Sequence, residues 1–130
     1  MNISQAAKAA GMNAKNVRHY EAQGIIPKAS RTDKGYRLYS ESDVHILRFV
    51  RQARSLGFSL TDIKKLLGLW RNKRRKSEDV KRIALQHIQE LETKISELQA
   101  IKQALVNLSQ HCHGDQRPDC PILDDLATLR

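Results

Sequence analysis

The feature that most constrains this chain is a long uninterrupted helical stretch. From Ser77 to Gln110 the sequence contains neither proline nor glycine, and Glu78 and Asp79 suit the positive end of a helix that Ser77 can cap. Along it, steps of four and three alternate through Ala84, Ile88, Leu91, Ile95, Leu98, Lys102 and Leu105. This spacing predicts a coiled-coil stripe. A helix of about 32 residues is roughly 48 Å long. The rest of the chain offers no partner of that length, so we expect a homodimer held through Ile88, Leu91, Ile95, Leu98 and Leu105.

The first 24 residues carry the pattern of a helix-turn-helix. Ser4 is expected to cap a helix that runs through Ala10 and ends at Gly11, and Asn13 to cap a second helix that reaches about Gln23. With Val17 and Tyr20 facing inward, the outward positions of the second helix are Lys15, Asn16, Arg18 and His19. Such side chains suit a recognition helix in the major groove of DNA. The alternative is the solvated polar face of an ordinary helix.

The segment from Ser30 to Tyr39 predicts two short strands around a turn at Lys34 and Gly35. Placed after a helix-turn-helix, this hairpin has the position of a wing. Its cations and tyrosines, among them Arg31, Tyr36 and Arg37, suit contacts with DNA phosphates. The alternative is a charged surface hairpin.

Two further amphipathic helices are expected to complete the core. Ser40 and Asp43 form a capping-box pattern, and Ser59 marks the start of the next helix. The apolar positions of the first are Val44, Leu47, Val50 and Leu56, and those of the second are Ile63, Leu66, Leu67 and Trp70. Arg51 and Arg54 are placed to reach DNA from the first of these helices. The basic run 71–76 is interpreted as a hydrated linker.

Charge and hydropathy narrow the class of partner. Twenty-three Lys and Arg against fourteen Asp and Glu give a net charge of +9, which favours a polyanion such as nucleic acid. No stretch approaches the roughly 20 apolar residues of a membrane span, and the N-terminus lacks a signal-peptide layout, so we expect a cytoplasmic protein without a membrane partner. Nucleophile, base and orienting group do not cluster at recognisable spacing, which argues against an enzyme.

A loop after the long helix holds the only cysteines, Cys112 and Cys120. In a reducing cytosol a close thiol pair indicates a metal or redox site rather than a structural disulfide. Two soft ligands favour copper(I), and silver(I) and gold(I) share its preference. His111 and His113 allow a four-ligand zinc site instead, and a redox switch is a further alternative. A short terminal helix is expected to place an apolar lid over the loop, formed by Ile122, Leu123, Leu126 and Leu129.

Together these motifs resemble the MerR family of transcription regulators, and within it the copper-efflux branch. The sequence Val17-Arg18-His19-Tyr20-Glu21 is similar to the recognition-helix signature, Gly35-Tyr36-Arg37-Leu38-Tyr39 to the wing motif, and the stretch from Arg51 to Phe58 to the segment that follows. The implied fold is mainly α: a winged helix-turn-helix DNA-binding domain with linker (1–76), an antiparallel dimerisation helix (77–110), and a metal-binding loop with a short helix (111–130). The residues expected at the DNA are Lys15, Asn16, Arg18, His19, Tyr20, Arg31, Tyr36, Arg37 and Arg54.

The resemblance also implies a function. It implies activation by distortion of promoter DNA, so that RNA polymerase engages an overlong spacer, and binding of the metal by Cys112 and Cys120. Divalent-metal sensors of the family carry a cysteine where this chain has Ser77, which favours a monovalent ion; the start of the partner's helix at Ser77 would lie near the thiolates. His111 and His113 depart from the usual copper-sensor loop.

Overall fold

The computed structural model describes residues 1–128 of the chain, which are mainly helical. The elements are α1 (Ile3–Ala10), α2 (Ala14–Ala22), β1 (Ser30–Arg31), β2 (Arg37–Leu38), α3 (Glu41–Ser55), α4 (Leu60–Arg71), α5 (Ser77–His111) and α6 (Pro121–Ala127). They belong to two compact units, of which the first is Met1–Ile83 and the second begins at Ala84. Within the described part of the chain, no helix combines the length and the apolar character that crossing a membrane requires.

The helix-turn-helix forms as predicted, except for its first cap. Asn2, rather than Ser4, caps α1: its side chain accepts a hydrogen bond from the amide of Gln5 at 2.8 Å, and the Gln5 side chain accepts one from the Asn2 amide at 2.9 Å. This reciprocal capping box satisfies two amides where a single serine satisfies one, so the helix starts two residues earlier than predicted. Gly11 ends α1 in the left-handed conformation, with φ at 75°, as predicted.

The wing is also confirmed. Strands β1 and β2 pair antiparallel, with Ser30 opposite Leu38 and Arg31 opposite Arg37. The turn is closed by a hydrogen bond from the Thr32 amide to the Tyr36 carbonyl at 2.8 Å, and Gly35 provides the positive φ of 83°.

Helices α1 to α4 enclose one core. Its members are apolar residues from these four helices and from the segments between them. The largest that are completely buried are Ile26, Leu47, Ile63, Val17 and Val50. The Ser40 and Asp43 capping box is confirmed. Leu56, expected in the core, is more than half exposed because α3 ends one residue before it and the helical stripe stops there. Trp70 is partly exposed and stacks on Phe49, with ring centroids 4.7 Å apart.

In the second unit, α5 continues from the first and α6 follows the thiol loop. Helix α5 begins at Ser77 as predicted and ends at His111. The predicted lid does not form within the described chain: Ile122 is half-buried, but Leu123 and Leu126 are exposed, the latter by 70%. Helical spacing creates an apolar face, but that face is buried only where another apolar surface meets it. Leu129 lies outside the described residues.

Candidate nucleic-acid interface and thiol site

Helix α2 presents a polar face opposite a single buried anchor. Asn13 caps the helix by accepting a hydrogen bond from the Asn16 amide at 2.8 Å, and Val17 is completely buried. The side chains that share the opposite, exposed face are Lys15, Asn16, Arg18 and His19. Tyr20 is half-buried, with its ring centroid 5.4 Å from that of His19. The anchor fixes the rotation of α2, so its donors point outward together.

Arginines from α2 and from the wing converge on one charged cleft. Arg18, Arg31 and Arg37 line two adjoining open hollows of about 500 and 390 Å³, and the second also includes Tyr36. Tyr36 is strongly exposed at the turn, and the Arg31 guanidinium donates to the Gly35 carbonyl at 3.4 Å. The arrangement offers several guanidinium donors to one anionic ligand, which suits a phosphate of a nucleic-acid backbone.

A buried tyrosine joins the recognition helix to the end of the wing. The Tyr39 hydroxyl donates to Oε2 of Glu21 at 2.6 Å. Burial, followed by this carboxylate, raises the pKa of Tyr39, whereas the facing Arg37 side chain lowers it. Sequence patterns did not predict this pair, because its members lie 18 residues apart and belong to no common helical or strand period.

The arginines of α3 have structural partners. The Arg48 side chain donates to the Ala9 carbonyl at 3.0 Å, at the end of α1, and the Arg51 guanidinium lies over Gly11. Arg54, which was expected at the DNA, is exposed, and its guanidinium lies 3.5 Å from the Phe58 carbonyl, at the limit of a hydrogen bond. Arg54 is not among the residues that line the two hollows.

The excess of positive over negative charge lies in the first unit. Residues 1–83 contain nineteen Lys and Arg against seven Asp and Glu, whereas residues 84–130 contain four against seven. The excess that favours a polyanion therefore belongs to the unit that contains α2 and the wing.

The stripe of α5 is uncovered in the single chain. Every residue predicted to mediate dimerisation is exposed, namely Ile88, Leu91, Ile95, Leu98 and Leu105. The predicted stripe contained Lys102 and not Ile101, but Ile101 is exposed as well and lines one groove with Leu98 and Leu105. Steps of three and then four from Leu98 would have identified it.

The two cysteines lie close together in the second unit. Sγ of Cys112 is 3.8 Å from Sγ of Cys120, and both residues are half-buried. Cys120 occupies the cap position of α6, ahead of Pro121. The thiol makes no well-aligned cap hydrogen bond, yet the nearby amide of Leu123 is the largest influence on it and lowers its pKa.

The histidines do not join the thiols in a four-ligand group. Nδ1 of His111 lies 2.6 Å from the Asn107 carbonyl, and His113 is exposed. Among residues 1–128, no three His, Cys, Asp or Glu side chains are grouped so that they could hold a metal ion together. Ser77 is exposed in the first turn of α5, and Cys112 directly follows the last residue of that helix.

Two models of one protein family match this chain. The family model described as "MerR HTH family regulatory protein" matches residues 1–69, and the model described as "MerR, DNA binding" matches residues 44–108. Heavy metal-dependent transcription regulator 2 of Rhizobium meliloti (strain 1021) is 54% identical, over 98% of this chain and 86% of its own length.

Two further similarities extend over almost the whole chain. The HTH-type transcriptional regulator CueR of Salmonella typhimurium is 41% identical, over 98% of this chain and 92% of its own length. The crystal structure of the transcription regulator PbrR691 from Ralstonia metallidurans CH34, in complex with lead(II), matches with a TM-score of 0.85 and 31% identity, over 98% of this chain and 99% of that one.

Proposed function

Because this chain belongs to the MerR family and is a metal-responsive transcription regulator, not an enzyme, we propose that it senses copper(I) through the thiolates of Cys112 and Cys120. The observation that carries the proposal is the 3.8 Å separation of the two sulfurs in one half-buried loop. That separation exceeds the roughly 2.05 Å of a disulfide. It is shorter than twice a metal–thiolate bond of about 2.3 Å. Both sulfurs can therefore reach one ion after a small movement.

The donor set favours a soft monovalent ion. Thiolate selects copper(I) among common cellular metals, whereas zinc prefers four ligands. His111 is engaged by the Asn107 carbonyl, and no third donor accompanies the sulfurs in residues 1–128. Silver(I) and gold(I) satisfy the same two thiolates and are therefore expected to bind as well.

The similarity to the lead(II) complex of PbrR691 makes a divalent ion the alternative that needs testing. Ser77 bears on this choice. A hydroxyl there adds no third thiolate to the site. Two thiolates with one copper(I) ion then form a complex with a net negative charge. We propose that the first turn of α5 of a second subunit, which begins at Ser77, stabilises that charge with its positive dipole end.

We propose that the protein binds promoter DNA as a homodimer. The exposed face of α2 suits the major groove, and the arginines of the cleft suit the flanking phosphates. Two subunits joined along α5 would present two such faces to a pseudo-palindromic site. On metal binding, the dimer is proposed to distort the promoter so that RNA polymerase engages both of its elements.

The experiment is a titration of the reduced protein with copper(I) in the presence of a competing chelator, with a parallel titration with zinc(II). Cys112→Ser and Cys120→Ser remove one sulfur each. His113→Ala is the matched control, because His113 is exposed beside Cys112 and belongs to no group of three potential ligands among residues 1–128. We expect one tightly bound copper(I) per chain, lost in both serine variants and retained in the control. Copper(I)-dependent transcription from a responsive promoter should likewise be lost in both serine variants and retained in the control.

Two results would refute the proposal. Tight zinc(II) binding that is lost in His113→Ala or His111→Ala would show a four-ligand divalent site. A transcriptional response that follows oxidants and ignores copper(I) would show that the two thiols form a redox switch instead.

A further inference from the structure

We propose that Tyr39 is a positioning residue for DNA binding, and that it keeps the carboxylate of Glu21 from neutralising the arginines of the phosphate cleft. The proposal rests on the DNA interface described above, because it concerns the cleft that this interface assigns to the phosphate backbone. It gives a role to a buried hydroxyl that the recognition helix and wing do not otherwise require.

The charges of the cleft are unbalanced. Its charged lining residues are Arg18, Lys28, Arg31 and Arg37 together with a single carboxylate, Glu21. A carboxylate among guanidinium groups normally pairs with one of them, since bidentate arginine–carboxylate contacts are strong and geometrically well matched. In residues 1–128, however, no ion pair joins Glu21 to any of these cations.

The tyrosine explains why Glu21 remains unpaired with the arginines. Tyr39 is only 2% exposed, and its hydroxyl donates to Oε2 of Glu21 at 2.6 Å. Because the ring is held in the core and its backbone amide is bound at 2.7 Å to the Met1 carbonyl, the hydroxyl has a fixed position. It therefore holds the carboxylate on the protein side of the cleft.

Removing the hydroxyl should free the carboxylate to compete with DNA. In Tyr39→Phe, Glu21 loses the neutral hydroxyl that donates to it, and guanidinium groups that line the same cleft are available to replace it. One arginine–phosphate contact per subunit would then be replaced by an internal ion pair. We expect roughly tenfold weaker DNA binding, and a salt dependence reduced by about one phosphate contact per subunit.

The experiment compares wild type, Tyr39→Phe, Glu21→Gln and the double variant on a single DNA duplex. The duplex is one that the wild-type protein selects from a random-sequence library, and dissociation constants are measured by fluorescence anisotropy across a salt series. Glutamine still accepts from the Tyr39 hydroxyl but cannot form an ion pair. We therefore expect Glu21→Gln to bind at least as tightly as wild type, and the double variant to recover wild-type affinity and salt slope within about threefold.

If the hydrogen bond between Tyr39 and Glu21 only stabilises the fold, the DNA affinities of the four proteins should follow a different pattern. Both single variants would then weaken binding, and the double variant would bind no better than Tyr39→Phe, which would overturn the proposal. Urea denaturation of all four proteins shows whether each is folded under the binding conditions. If the wild type itself selects no duplex and shows no salt-dependent binding, the DNA interface fails; if wild type binds and the double variant is not restored, only the role of Tyr39 fails.

Discussion

Replacement of Leu98 by alanine tests whether the stripe of α5 joins two subunits. The Leu98 side chain is 64% exposed in the single chain. Complete burial of a leucine contributes about 1.5–3 kcal/mol, so covering the exposed fraction contributes about 1–2 kcal/mol per copy. A symmetric dimer contains two copies, which gives about 2–4 kcal/mol. We therefore expect Leu98→Ala to raise the dimer dissociation constant roughly 30- to 700-fold.

Sedimentation equilibrium over a range of protein concentrations measures this constant directly. Gln99→Ala is the matched control, because it changes the neighbouring residue of the same helix, outside the groove lined by Leu98, and alanine favours a helix as well as glutamine does. A dissociation constant for Leu98→Ala within threefold of wild type, or equal weakening by both variants, would show that this face is not the dimer interface.

Two further predictions concern the turn of the helix-turn-helix and the thiol loop. Gly11→Ala should lower the free energy of unfolding by about 1–2 kcal/mol, because the left-handed backbone disfavours a Cβ, which would also overlap the Arg51 guanidinium. In contrast, Gly68→Ala should raise the free energy of unfolding by about 0.5–1 kcal/mol, because Gly68 lies inside α4 with open space around it. Urea denaturation at one fixed protein concentration measures both changes. Two changes in the same direction would contradict this expectation. In Cys112→Ser, alkylation of Cys120 should reach half its maximal rate at a lower pH than alkylation of an ordinary cysteine, because the Leu123 amide lowers the thiol pKa; a profile that coincides with that of a model peptide would refute this.

Local patterns predicted most of the fold. The caps at Asn13, Ser40 and Ser59, the glycine that ends α1 and the wing turn are all decided by a few adjacent residues, and each forms where the sequence indicates. The error at the first cap has the same local origin. Both Asn2 and Ser4 are good capping residues, and Gln5 three positions after Asn2 decides between them by completing the capping box.

Features that depend on contacts between distant parts of the chain could not be predicted from sequence patterns. The 3.8 Å between the sulfurs depends on how the loop folds back, since turn-forming residues allow many closures. The Glu21 and Tyr39 contact joins a helix to the end of a hairpin, and no period connects them. The lid prediction failed for a related reason: the spacing of Leu123 and Leu126 defines a face but not the surface that would cover it.

The two proposed sites lie in units whose net charges have opposite signs. The unit with α2 and the wing holds the whole positive excess, which attracts a nucleic-acid backbone, whereas residues 84–130 contain more carboxylates than cations. A net negative setting attracts metal cations and repels DNA phosphates. At physiological salt such fields are screened over about 8–10 Å, so each is strongest close to the charges that produce it. The salt dependence of DNA affinity should therefore belong to the first unit, and removal of either thiol should leave it unchanged.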